Sequence, residues 1–251
     1  MSCHWRKRPL ARTRSFNPTM SRRLILIRHG QTTYNASGRM QGHLDTELSD
    51  VGYEQARAAA RLLRDQGVVK IVASDLQRAR ETARVVAESL GLDFSTDPRL
   101  RETNLGQWQG KSSAEVDAEF PGARAIWRHD PTWAPPEGES RVDVARRARP
   151  VIDELMQEFS GWDDGAVLIV AHGGAISALT CHLLGLDHGQ YGILSGLKNT
   201  HWSQLTARPD FNPETPVNSL EFTPETVASA QWYFDGWNMG GEVTGDGGAD
   251  T

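Results

Sequence analysis

The chain has 251 residues, 38% hydrophobic and 24% charged, a balance that suits one sizeable globular domain and excludes fibrous and disordered chains. No run approaches the roughly 20 consecutive apolar residues of a membrane span, so no membrane partner is expected. The net charge of −5 conceals a basic start, because Arg6, Lys7, Arg8, Arg12, Arg14, Arg22 and Arg23 precede the first acid; the remaining body is acidic and ill suited to nucleic acid.

Residues 1–22 read as a basic, disordered extension. It is either a targeting segment, though without the apolar stretch of a secretory signal, or a dispensable start-site extension ending near Met20. Cys3 and Cys181 are too few for a disulfide framework, and a reducing, cytoplasmic location is expected. Leu24 to Arg28 is an apolar run stopped by Gly30, the pattern of a buried parallel strand. Ser49 is placed to cap a helix from Asp50 to Gln66, with Ala56, Ala60 and Leu63 at helical spacing and Gly67 as its stop. A second strand is predicted at Val68 to Ala73. Asp75 is expected to cap the next helix, whose Ala79, Ala83, Val86 and Leu90 form one stripe before Gly91.

Residues 104–138 are rich in Trp, Pro and Gly and form an excursion with one short helix near Ser113 to Glu119. A long helix follows from Glu139 to Phe159, then an apolar strand at Val167 to Ala171 and a helix reaching Leu184. Late strands are expected at Trp202 to Leu205 and Gln231 to Trp237, and residues 240–251 have the composition of a disordered Gly-rich tail. The alternation specifies an α/β fold with a mainly parallel central sheet flanked by helices on both faces. Ligands of such sheets sit beyond the carboxyl ends of the strands, where Arg28, His29, His172 and Gly173 fall.

Each of the two apolar strands ends in a histidine followed by glycine: His29 in Arg28-His29-Gly30 and His172 in Ala171-His172-Gly173-Gly174. One such histidine alone reads as an ordinary loop residue; two in one parallel sheet can face each other across a pocket. Arg78, close to the start of a helix that already favours anions, can join Arg28 as a phosphate clamp, or lie exposed on an amphipathic face. Glu102 taken alone reads as a solvated glutamate.

Together these residues resemble the histidine phosphatase superfamily, also called phosphoglycerate mutase-like, from about Leu24 to Gly185. The resemblance rests on Arg28-His29-Gly30, Asn35, Gln41-Gly42 with Asp45 and Leu48, Ser74-Asp75-Leu76 with Arg78-Ala79 and Thr82, Leu100-Arg101-Glu102 with Gly106 and Gly110, and Ala171 to Gly174. It implies a three-layer sandwich over residues 23–239, a small anionic phosphorylated metabolite as ligand, and neither metal nor cofactor. By the resemblance, His29 is the nucleophile of a phosphohistidine and Glu102 the proton donor and acceptor. Arg28, Arg78, His172, Asn35 and the Gly173 N–H hold the phosphoryl oxygens, and Gln41 and Gly42 line the mouth. More narrowly, Arg39 to Gly42, Trp127 to Ala134, Gly138 to Val144 and Asn199 to Leu205 resemble the glucosyl-3-phosphoglycerate phosphatase branch, from which the basic extension departs.

A metal phosphatase is disfavoured because no His-x-His, His-Glu-x-x-His or Cys-x-x-Cys pairing occurs and converging arginines repel a divalent cation. The alternatives are a phosphoglycerate mutase-type phosphotransferase, a broad-specificity phosphatase and, in another class, a silent phosphate-binding protein. His43 stands where mutases of the family carry Trp, and hydrolysis is favoured. Two assignments stay open: the excursion tryptophans are packing or a sugar-binding wall, and Trp202, Trp232 and Trp237 are core or the apolar edge of a homodimer.

Overall fold

The computed structural model describes residues 21–210 and 222–241. Six strands form one sheet: β1 (Arg22–Arg28), β2 (Val68–Ala73), β3 (Phe94–Thr96), β4 (Ala166–Ala171), β5 (Trp202–Arg208) and β6 (Gln231–Met239). Their order is β3-β2-β4-β1-β5-β6, parallel from β3 to β1 and antiparallel across β5 and β6. The helices are α1 (Thr33–Ala36), α2 (Asp50–Leu63), α3 (Gln77–Leu90), α4 (Ser113–Glu119), α5 (Ala123–His129), α6 (Arg141–Glu158), α7 (Gly173–Leu183) and α8 (Pro224–Val227).

The pleat of β1 and β4 sorts their side chains into two cores. Leu24 and Leu26 join Val167 and Ile169 against Val151 and Ile152 of α6 and Ile176 and Leu179 of α7. Ile25 and Ile27 join Leu168 and Val170 against Ala59, Ala60 and Leu63 of α2 and Ala79, Ala83 and Val86 of α3. Strands covered on both faces have no polar side to alternate, and these two therefore read as continuous apolar runs. Truncating Ile27, fully buried, to alanine should cost about 2–5 kcal/mol.

Several sequence expectations change. β1 starts two residues before the expected Leu24, and Arg22 belongs to it rather than to the extension; Arg22 is buried and pairs with Asp163 at 2.8 Å. The remaining basic segment, residues 1–20, and residues 242–251 of the expected tail lie outside the described residues. Asp75 does not cap α3. Its carboxylate goes to Arg101, and the Gln77 N–H at the helix start donates to Asp45, from a distant loop, at 2.6 Å. The helix expected to run to Gln66 ends as α2 at Leu63 and continues as a single 3₁₀ turn. Strand β3 and helix α5 were not predicted. No helix among the described residues is long and apolar enough to cross a membrane.

Candidate active site

β1 and β4 are hydrogen-bonded neighbours and end level, with Arg28 opposite Ala171. Their next residues, His29 and His172, therefore emerge side by side, ring centroids 5.2 Å apart. Both are almost wholly buried, at 2% and 0% exposure. A carbonyl can only accept, so the 2.7 Å contact between His29 Nδ1 and the Gly30 carbonyl makes Nδ1 the donor and leaves Nε2 with its lone pair. Burial, reinforced by Arg78 and Arg28, holds the His29 imidazole well below its ordinary value and opposes the Gly30 hydrogen bond. His172 is likewise held down by burial first, then by Arg78.

Arg78 enters from α3 and is 1% exposed. Its fork is held by backbone rather than by acids, with Nη1 donating to Leu44 O at 2.7 Å and Nη2 to Gly42 O at 2.8 Å. Gly42 takes φ of +54°, a left-handed turn that a side chain would strain, and turns its carbonyl to the guanidinium. Burial lowers the Arg78 pKa to about 10, which leaves it charged at neutral pH. Arg28 Nη1 donates to Leu197 O at 2.5 Å. Arg78 Nε and His172 Nδ1 are buried with no hydrogen-bond partner among the described residues. An unpartnered buried guanidinium N–H and an unpartnered buried ring nitrogen beside a nucleophilic nitrogen are the pattern of an anion site.

Glu102 reaches the start of α7. Its carboxylate accepts from Gly174 N at 3.1 Å, Ala175 N at 2.9 Å and Thr103 N at 2.7 Å. The absence of a side chain at Gly174 makes room for the carboxylate, since a Cβ would lie 2.6 Å from Glu102 Oε1. A Cβ added at Gly173 would lie 3.5 Å from Cδ and Nε of Arg28, so the two residues are neighbours. Asn35 caps α1 reciprocally with Thr32, and its Oδ1 also faces Asn199 Nδ2 at 3.5 Å. Gln41 is buried, its Oε1 accepting from Thr32 and Thr46 hydroxyls. The structure thus places His29, His172, Arg28, Arg78, Gly173 and Glu102 together and links Asn35 to His29 through Asn199; Gly42 holds Arg78, whereas Gln41, expected at the mouth, is buried against the Thr32 and Thr46 hydroxyls.

Sequence reasoning missed the residues that hold these in place. Ser74 Oγ meets His172 Nε2 at 2.9 Å, and Asn199 Nδ2 donates to the His29 carbonyl at 2.9 Å. Thr200 N donates to Arg28 O at 3.1 Å from a left-handed backbone, φ +56°, unusual for a β-branched residue. His43, Glu139 and Arg147 surround the Glu102 backbone. Of the two readings of the excursion tryptophans, packing is favoured, because Trp127 and Trp133 stand 5.9 and 5.5 Å from the ring of fully buried Trp108. Among the described residues no three His, Cys, Asp or Glu side chains form a metal-holding group.

The model of the histidine phosphatase superfamily (branch 1) matches residues 24–216. The chain belongs to this superfamily and is a phosphatase. A glucosyl-3-phosphoglycerate phosphatase of Mycolicibacterium vanbaalenii is 47% identical over 229 residues, which covers 90% of this chain and 98% of the relative. The solved structure of a mycobacterial glucosyl-3-phosphoglycerate phosphatase in complex with VO3 superposes with a TM-score of 0.77 at 47% identity, covering 86% of this chain and 98% of that one. A complex of that enzyme with inorganic phosphate gives 0.76 at 45% identity, covering 87% and 98%.

Proposed function

We propose that this phosphatase hydrolyses glucosyl-3-phosphoglycerate through a phosphohistidine on His29. The observation that carries the mechanism is the His29 tautomer: Nδ1 is committed to the Gly30 carbonyl, and Nε2 is a buried, unprotonated nucleophile between two arginines. Nε2 attacks phosphorus, forming the P–N bond as the P–O bond to the leaving alkoxide breaks. Arg28, Arg78, His172 Nδ1–H, Asn35 and the Gly173 N–H take up charge on the equatorial oxygens. Glu102 gives its proton to the alkoxide. Water then attacks phosphorus, passes a proton back to Glu102 and releases His29.

The substrate rests on the relatives, whose name it is, and the packing of the excursion tryptophans leaves the glucosyl group to polar residues. Rapid quench of the wild type should trap acid-labile, alkali-stable phosphate that His29→Ala never shows. Glucosyl-3-phosphoglycerate should exceed free 3-phosphoglycerate at least tenfold in kcat/KM, about 1.4 kcal/mol. Equal rates on the two esters remove the substrate assignment, and trapping on His29→Ala removes the mechanism. Two further parts of the reading have their own support. Exposed Tyr233 and Phe234 on the edge strand β6 favour a homodimer, testable by sedimentation, and the buried free thiol of Cys181 favours the cytoplasm, testable by fractionation.

A further inference from the structure

Glu102 lies in residues 101–105, a stretch with no helix or strand of its own. No ladder fixes its backbone, yet a proton donor displaced by about 1 Å can lose 10²-fold in rate. Three side chains from elsewhere supply what the ladder does not. Arg147 of α6 donates through Nη2 to the Glu102 carbonyl at 2.6 Å and through Nη1 to the Arg99 carbonyl at 2.8 Å. The same guanidinium grips Glu139 with Nε at 2.8 Å and Nη2 at 3.0 Å. Glu139 in turn accepts from Asn104 N at 2.9 Å, and its own N–H donates to the Asn104 carbonyl at 2.8 Å. His43 Nε2 meets the Glu102 carbonyl at 2.7 Å, and a carbonyl can only accept, so Nε2 carries the proton.

The backbone is therefore anchored at residues 99, 102 and 104, all through one Arg147–Glu139 pair. Arg147 is only 21% exposed and Glu139 24%, so the pair is shielded from the solvent that weakens surface ion pairs. The fork is also specific: a lysine ammonium reaches one carbonyl or the carboxylate, whereas the planar guanidinium reaches four acceptors in fixed directions.

We infer that Arg147, with Glu139 as its orienting partner, is a positioning residue that sets the Glu102 carboxylate at the leaving group. This rests on the reading of Glu102 as proton donor. The test is the ratio of kcat/KM for an alkyl ester, β-glycerophosphate, to that for p-nitrophenyl phosphate, whose leaving group needs little protonation. kcat/KM reports phosphorylation of the enzyme and leaves hydrolysis of phosphohistidine out of the comparison. Arg147→Met should lower the ratio about 10- to 100-fold and Arg147→Lys by an intermediate factor. Unchanged inhibition by inorganic phosphate should accompany both, because the clamp is untouched. Equal losses on the two esters show a general structural effect and overturn the proposal. Should Arg147→Met not fold, the isosteric Glu139→Gln has to lower the ratio in the same direction, and a wild-type ratio there overturns it equally. Glu102→Gln separates the two levels. If it leaves the ratio unchanged the proton-donor reading falls; if it lowers the ratio while Arg147→Met does not, only the positioning role falls.

Discussion

Neutral burial of the two facing imidazoles makes stability depend on pH in a window that few other groups touch. His29 and His172 sit well below their ordinary value of 6.5 in the folded protein and return to it on unfolding. Between the two values the unfolded chain binds more protons, so stability is complete above 6.5 and is lost as pH falls below it. From pH 7.5 to 5.5 the loss is about 1.4 kcal/mol for each imidazole, or about 2.7 kcal/mol for the pair. For a chain of this size that corresponds to roughly 5–11 °C in Tm. His43 and His182 are also lowered and add an equal background to every variant. The arginine-paired carboxylates Asp75, Asp97 and Glu139 are held low and keep their contribution until more acidic pH. Urea unfolding in phosphate-free buffer at both pH values should therefore show His29→Gln and His172→Gln each losing about 1.4 kcal/mol less than wild type. Phosphate has to be absent because ligand binding adds its own stabilisation. An identical pH loss in all three proteins would refute neutral burial of the pair.

Gly174→Ala should reduce turnover of alkyl esters about 100-fold while costing only about 1 kcal/mol of stability, because the added Cβ displaces the Glu102 carboxylate from the start of α7 and not backbone; retained turnover would show that this carboxylate placement is dispensable. Exhaustive chelation should leave activity intact, since cationic side chains supply the charge a metal would bring, and activity restored by one specific metal would overturn that view. Asp45→Ala should lose about 1 kcal/mol with its helix cap, and Asp75→Ala less because its pair with Arg101 is partly exposed. The reverse order in urea melts would return the cap to Asp75.

What the sequence made legible follows from which forces act locally. β2 was readable to the residue because a glycine stop precedes it and its run is apolar; Gly67 and Gly91 do adopt the left-handed geometry that ends helices. The two histidines were legible because each follows a strand covered on both faces. β3 escaped notice because it spans three residues at the sheet edge with none fully buried. α5 escaped because Gly122 offers no side-chain cap and the helix buries no residue. Asp75 misled because a local cap competed with Arg101, and the long-range pair prevailed while Asp45 took over the helix start. Arg147 and Asn199 were illegible for the same reason, since their contacts to Glu102 and His29 span 45 and 170 residues. Nothing in local spacing encodes such closures.

The treatment of charge links these observations. Arginines that brace the fold are matched to acids: Arg22 to Asp163, Arg99 to Asp97 and Glu154, Arg101 to Asp75, Arg147 to Glu139. Arg78 is instead fixed by two carbonyls, dipoles that orient the fork without cancelling its charge. The consequence is the lowered Arg78 pKa, burial being its largest cause, together with two imidazoles kept neutral. Adding a carboxylate as partner would relieve that burial cost but would also neutralise the field a phosphoryl group needs. Holding the cation by backbone keeps the pocket positive inside an acidic chain, and the same field reinforces the burial that keeps His29 deprotonated. One arrangement thus attracts the dianion and preserves the lone pair that attacks it.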